Sequence, residues 1–223
     1  MTKTIVVTGA TGVLGNLVAK TFAERGHNIA LLDKDQTKLD SLVRDLNLPN
    51  ERLYAQTIDL LNDTAVHDSA EAVLSKFGSI HALIHLVGGW TGGKTLPESS
   101  KDDFKSMLNQ HAWTTFHLLQ AFIPQIAKSN WGRVIIVSKP ETVHPSAKTA
   151  LYTAAKSAQE SLVLTLAEEY KENGLTANVI HVKSIDIKNE GRGTSPTEIV
   201  SAMTYLFSDE AGKVNGARIP LYG

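Results

Sequence analysis

Short apolar runs alternate with longer amphipathic stretches along the chain. Residues 5–8, 29–33, 52–57, 82–87, 134–138 and 177–182 have the length and side chains of buried strands, and 214–220 reads as a last one. Between them, apolar residues recur at helical spacing over 12–25, 36–46, 63–76, 101–128, 148–173 and 196–207. Strands that alternate with helices require crossover connections. This predicts an α/β architecture: a doubly wound parallel sheet with helices on both faces, as in the Rossmann fold. No repeat, low-complexity tract or long linker interrupts the pattern. The stretches 89–97 and 188–195 are the loops best suited to line a site.

Composition narrows the picture. With 223 residues, 42% hydrophobic and 20% charged, the chain can bury one large core, so 1–223 is expected to be a single domain. A net charge of −1 offers no basic excess for a phosphate backbone, and no nucleic-acid partner is expected. The apolar run at 5–7 is too short for a secretory signal, and no run is long enough to span a bilayer. A cytoplasmic protein with no membrane partner is the expectation. The chain has no cysteine, and its eight histidines show no spacing that assembles a metal site.

Thr8-Gly9-Ala10-Thr11-Gly12-Val13-Leu14-Gly15 joins the first strand to the first helix. Gly9 permits a tight turn, Gly12 a close approach of backbone to a pyrophosphate, and Gly15 close packing of helix on strand. The helix start supplies amide groups and partial positive charge to an anion. An ordinary strand–helix turn is the plainer reading, but the context fits a dinucleotide. Asp33 ends the second strand. Its carboxylate suits ribose hydroxyls and repels a 2′-phosphate, which favours NAD over NADP, with Lys34 partly offsetting the repulsion; alternatively Asp33 caps the next helix. Asp59 is a candidate for an adenine pocket, or likewise a cap.

Tyr152-Thr153-Ala154-Ala155-Lys156 places a phenol and an ammonium on one helix face. The ammonium favours the phenolate and would lower the tyrosine pKa, so that Tyr152 exchanges a proton with a carbonyl or alcohol oxygen. Spacing alone also allows a core tyrosine beside a surface lysine.

Together these segments resemble the short-chain dehydrogenase/reductase family over essentially the whole chain. The likeness rests on TGATGVLG, Asp33, Asp59-Leu60, Val87-Gly88-Gly89, GRVIIVS at 132–138, YTAAK at 152–156 and the closing GARIPLYG. The resemblance implies a seven-stranded parallel sheet, a nicotinamide cofactor and hydride transfer, with Tyr152 as proton donor or acceptor and Lys156 binding the nicotinamide ribose. Val13, Leu14, Val87, Gly88 and Gly89 would line the cofactor. HLVGGWTGG at 85–93 and QHAWT at 110–114 are similar to the dihydropteridine reductase subgroup.

Four departures from the family pattern bear on chemistry. The first two glycines, Gly9 and Gly12, are separated by two residues rather than three. Thirteen positions before Tyr152, where the family has a serine, stands Lys139, with Ser138 one position earlier; either one would steady the substrate oxygen. Pro140 follows and biases the backbone at 139 toward extended geometry. His111 takes the place of the family's active-site asparagine, either holding a relay water near Lys156 or simply packing, with Asn109 roughly 200° away around a regular helix. Val182 and Ile187 replace a proline and a threonine near the carboxamide, leaving the backbone of Ile185 to bind it.

The short loop 188–195 implies an open site or a small polar substrate. Trp90 and Trp113 would form an aromatic wall for a planar ligand, or pack in the core. An NAD(P)-dependent oxidoreductase acting on a carbonyl, alcohol or imine is the leading reading. A catalytically impaired dinucleotide-binding sensor or regulatory protein is the alternative. The helices at 148–173 and 196–207 resemble the family's subunit interfaces, which implies a homodimer or homotetramer.

Overall fold

The computed structural model describes residues 1–188 and 190–222; Asn189, in the loop expected at 188–195, and Gly223, which ends GARIPLYG, lie outside the described residues. Seven parallel strands form one sheet: β1 (Thr4–Thr8), β2 (Asn28–Asp33), β3 (Leu53–Thr57), β4 (Ala82–His85), β5 (Gly132–Ser138), β6 (Leu175–His181) and β7 (Arg218–Pro220). Their order is β3-β2-β1-β4-β5-β6-β7. The direction of winding reverses between β1 and β4. In an open parallel sheet, that reversal leaves a crevice beyond the carboxyl ends of the strands, where ligands bind.

Every residue of β1, β4 and β6 is buried, as expected for strands covered on both faces. Alternation along each strand divides the core. Ile5, Val7, Ile29 and Leu31 pack with Val18 and Phe22 of α1 (Val13–Glu24), Leu39 and Leu42 of α2 (Gln36–Leu46), and Met203 and Leu206 of α7 (Pro196–Phe207). Val6, Ala30, Leu32 and Leu83 face the other way. They meet Val66 and Val73 of α3 (Asp63–Phe77), Phe122 and Ile126 of α5 (Thr114–Ala127), and Val163 and Leu166 of α6 (Ala150–Glu169).

The helices start and stop where local chemistry dictates. The Asp35 side chain accepts from Lys38 N to cap α2, Asn62 does the same for α3 through Ala65 N, and Ser195 forms a capping box with Glu198 on α7. Asn47 (φ 45°) and Gly78 (φ 75°) end α2 and α3 in the left-handed region.

Three elements differ from the sequence expectation. The helix expected over 101–128 is divided into α4 (Lys101–Leu108), a wide π turn (Asn109–Trp113) and α5. The stretch 148–173 becomes α6 followed by a 3-10 turn at Lys171–Asn173. The last strand starts only at Arg218. Before it the backbone is tied in turns, with Val214 N donating to Ala211 O and Gly216 N to Ala177 O. Among the described residues, no helix is long and apolar enough to cross a membrane.

Candidate active site

The crevice above β1 and β4 contains two adjoining cavities. One, of about 590 Å3, is bordered by Tyr152, Lys156, His111, Ser138, Lys139 and Ile185. The other, of about 420 Å3, is bordered by Asp33, Lys34, Asp59 and Leu60. Gly9, Gly12, Leu86, Val87 and Gly88 border both. Val13, Leu14, Gly15 and Gly89 lie on the wall of the first, whereas Thr11 borders neither.

The ridge between the cavities depends on missing side chains. Gly9 has φ 68°, and a Cβ there would stand 3.0 Å from the backbone of Leu86 and Val87. A Cβ on Gly15 would stand 2.2 Å from the Gly9 carbonyl oxygen. The two-residue gap between Gly9 and Gly12 is closed by a hydrogen bond from Gly12 N to Gly9 O (3.2 Å), and no side chain caps α1. The first amides of that helix therefore face the ridge with their partial positive charge.

Thr11 contributes from behind: its backbone N donates to Asp33 Oδ2 at 2.9 Å. Asp33 Oδ1 accepts from Lys34 N (2.8 Å) and Asp35 N (3.2 Å). The alternative reading of Asp33 as a cap of the next helix is thereby corrected, because Asp35 holds that position. The same holds for Asp59, whose Oδ1 accepts from Leu61 N at 3.0 Å while Asn62 caps α3.

In the larger cavity Tyr152 and Lys156 are both buried. Lys156 Nζ donates to Val137 O (2.9 Å) and to Gln159 Oε1 (2.8 Å). Burial brings its pKa down to about 8, against the pull of Glu160 toward the ammonium. Burial, helped by Glu141 and Glu160, holds the Tyr152 phenol above its ordinary value. In the protein alone, then, the lowering of the tyrosine expected from Lys156 is not found, and every cause of the shift raises it.

His111 is fully buried in the π turn. Its Nε2 lies 2.9 Å from Gly89 O, which can only accept, so Nε2 carries the proton. Burial, and then the Lys156 charge, bring its pKa down to about 3. Nδ1 is left as a buried acceptor with no protein partner. Gly88 lies between the two groups: a Cβ there would be 2.8 Å from His111 Cε1 and 3.9 Å from Lys156 Nζ. Asn109 borders the other cavity, as its separation from His111 along the helix implied.

Ser138 is buried, whereas Lys139 is partly exposed and pairs with Glu141 at 3.5 Å, its ammonium 5.9 Å from the Tyr152 ring centroid. Ser138 Oγ makes no hydrogen bond of good geometry. It nevertheless faces Glu160 and helps lower that carboxyl's pKa. The backbone carbonyl of Ile185 accepts from Ile187 N at 3.0 Å. Trp90 is exposed at the cavity edge, but Trp113 packs against Phe116 and His117 away from it, so the two do not form one wall.

Four contributors escape a reading by motif. His85 ends β4 with Nδ1 2.6 Å from Thr8 Oγ1 and a buried, unpartnered Nε2; burial, then the charges of Lys156 and His111, bring its pKa down to about 3. Gln159 holds Lys156. Glu160 accepts from Arg218 Nε (2.7 Å) and lies 2.9 Å from His181 Nε2. Asp186 accepts from the backbone N of Glu190, Gly191 and Arg192 and so shapes the loop beside the site.

Two cavities meeting over a glycine-rich ridge fit a ligand with two ring systems joined by a diphosphate. The buried unpartnered atoms His85 Nε2, His111 Nδ1 and Ser138 Oγ, all on residues of one cavity wall, fit polar groups arriving with it.

A family model described as short chain dehydrogenase matches residues 3–193. Meso-2,3-butanediol dehydrogenase of Serratia marcescens is 26% identical over 238 residues, covering 99% of this chain and 93% of its own. D-beta-hydroxybutyrate dehydrogenase of Rhizobium meliloti is 24% identical over 257 residues, covering 100% of this chain and 98% of its own. A solved short-chain type dehydrogenase/reductase from Mycobacterium ulcerans superposes with a TM-score of 0.90 at 18% identity, over 98% of this chain and 88% of that one; this likeness establishes the fold.

Proposed function

The chain belongs to the short-chain dehydrogenase/reductase family of oxidoreductases, and from that membership we propose that it moves a hydride between a nicotinamide dinucleotide and a carbonyl, alcohol or imine carbon of a small molecule. The observation that carries this reading is the placement of Tyr152, Lys156 and His111 in the cavity that shares its glycine ridge with Asp33 and Asp59. When bound, a nicotinamide dinucleotide would supply or take up the hydride. Gly9, Gly12 and the start of α1 hold its diphosphate; Asp33, Lys34, Asp59 and Leu60 hold the adenosine end; Val87, Gly88, Gly89 and Ile185 border the nicotinamide end.

Tyr152 exchanges the proton with the substrate oxygen or nitrogen. Burial raises the phenol's pKa, so at neutral pH Tyr152 carries the proton that a reduction would call on. Lys156 stays largely charged at neutral pH, with two of its N–H groups engaged below the cavity and one left for a ligand hydroxyl. His111 Nδ1 offers an acceptor to a hydroxyl or water on the same side of Gly88. Lys139, more exposed than the buried Ser138, places its ammonium 5.9 Å from the Tyr152 ring centroid, while Ser138 faces Glu160.

Asp33 favours NAD over NADP, because its carboxylate, held by three backbone amides, puts negative charge on the border of the cavity assigned to the adenosine end. The partly exposed apolar residues Phe116, Leu119 and Leu162 along α5 and α6 support pairing of two copies through this face. The deciding experiment is fluorescence titration with NADH and NADPH, followed by NADH-dependent reduction of a panel of small ketones, quinones and pterins. Saturable NADH binding and turnover that Tyr152→Phe abolishes would support the reading. No binding at millimolar dinucleotide would end it.

A further inference from the structure

Gln159 is buried on α6 three residues beyond Lys156, at 1% exposure. Both of its amide heavy atoms are used. Lys156 Nζ donates to Oε1 at 2.8 Å, and Nε2 donates to Thr115 Oγ1 at 2.8 Å. Thr115 in turn donates to the carbonyl oxygen of His111 at 2.6 Å. An ammonium has no lone pair and a carbonyl has no proton, so each bond in this series has a single assignment. The amide orientation and the hydroxyl direction are both fixed. The series runs one way, from the ammonium on α6 through Thr115 of α5 to the backbone of the π turn that presents His111.

We propose that Gln159 is a positioning residue that ties Lys156 Nζ to the π turn, so that ammonium and imidazole reach the cavity in a fixed relation. The proposal rests on the reading of Lys156 as a site residue. The amide carbonyl acts on the ammonium directly: it is one of two acceptors that compensate the charge for leaving water. The other groups facing Lys156 come from every side. Tyr152 and Glu160 lie on its own helix, Val137 O comes from β5, His85 from β4 and His111 from the π turn. Glu160 favours the charged form. The two histidines stay uncharged across the alkaline range, so they do not confuse its titration.

Replacing the amide changes the titration in opposite directions according to what is put in its place. Gln159→Glu sets a carboxylate against the ammonium and raises its midpoint; Gln159→Met removes an acceptor and lowers it. A side chain that only filled space would alter stability and leave the midpoint alone.

The test follows the 13Cε resonance of Lys156 in lysine-labelled protein from pH 6 to 11, assigned by its loss in Lys156→Met, with NADH dissociation constants measured over the same range. In wild type the midpoint is expected near 8. Q159E should move it up by about one pH unit or more, and Q159M should move it down. Midpoints unchanged in folded variants would overturn the proposal. Should Q159M fail to fold, Q159E decides alone, and a Q159E chain that cannot fold counts against the proposal too. If wild type binds no NADH at any pH, the proposed function fails, while the resonance still judges Gln159.

Discussion

The rings of His111 and Tyr152 meet edge to face, with centroids 5.4 Å apart and planes at 87°. The imidazole is pinned on one side by Gly89 O and held uncharged by burial and by Lys156. His111 should therefore keep its Nε2–H tautomer without titrating between pH 5 and 9. A 15N–1H long-range correlation spectrum would show this. A midpoint near the ordinary histidine value would mean that the cavity is open to water.

Tyr152→Phe removes the proton donor and little else, because the phenol is not among the groups holding Lys156. Turnover should fall by about a hundredfold or more, with NADH affinity nearly intact. Steady-state kinetics beside a binding titration separate the two. Undiminished turnover would remove Tyr152 from the mechanism.

Asp33 should make NADH bind more tightly than NADPH. Asp33→Asn keeps an acceptor for Thr11 N but loses the charge, so the gap should narrow by about tenfold, or ~1.4 kcal/mol. Calorimetry with both dinucleotides checks the order; tighter binding of NADPH by wild type would contradict it.

Glu160 is buried. Burial pushes its carboxyl pKa up, but the contacts with His181 and Arg218, helped by the nearby hydroxyls of Ser138 and Thr142, outweigh that and bring it down to about 2 from an ordinary 4.5. A depressed carboxylate stabilises the fold above its unfolded pKa, and that stability is lost as pH falls through the folded one. Stability should therefore decline from about pH 4.5 toward pH 2. Glu160→Gln should cost only about 1 kcal/mol at pH 7, since the guanidinium it leaves unpaired, Arg218, is 42% exposed and is solvated by water. Urea unfolding at several pH values measures both, and a variant with the wild-type midpoint at pH 7 would refute the assignment.

Much of this was legible in the residues, and the illegible parts have physical reasons. Apolar strand runs such as Ile5-Val6-Val7 and the glycines at 9, 12 and 15 act locally, and the sheet and its ridge follow from them. Ser138 and Lys139 were indistinguishable because Pro140 obscures the strand end; burial separates them. The π turn left no trace, because residues 101–128 keep a helical apolar rhythm through it. Gln159 and Glu160 carry no motif, and nothing in the run at 85–93 singles out His85. Their roles arise from side chains brought together across elements far apart in sequence, which spacing along one element does not reveal.

The π turn has a consequence for how the two cavities communicate. Asn109 and Gln110 border the Asp33 side, and the very next residue, His111, borders the Tyr152 side. One backbone deformation thus furnishes walls to both compartments. Deleting a single residue between 109 and 113 would let α4 and α5 merge into one regular rod and turn one wall away from its ligand. The length of this segment is for that reason as much a part of the site as the identity of any side chain in it.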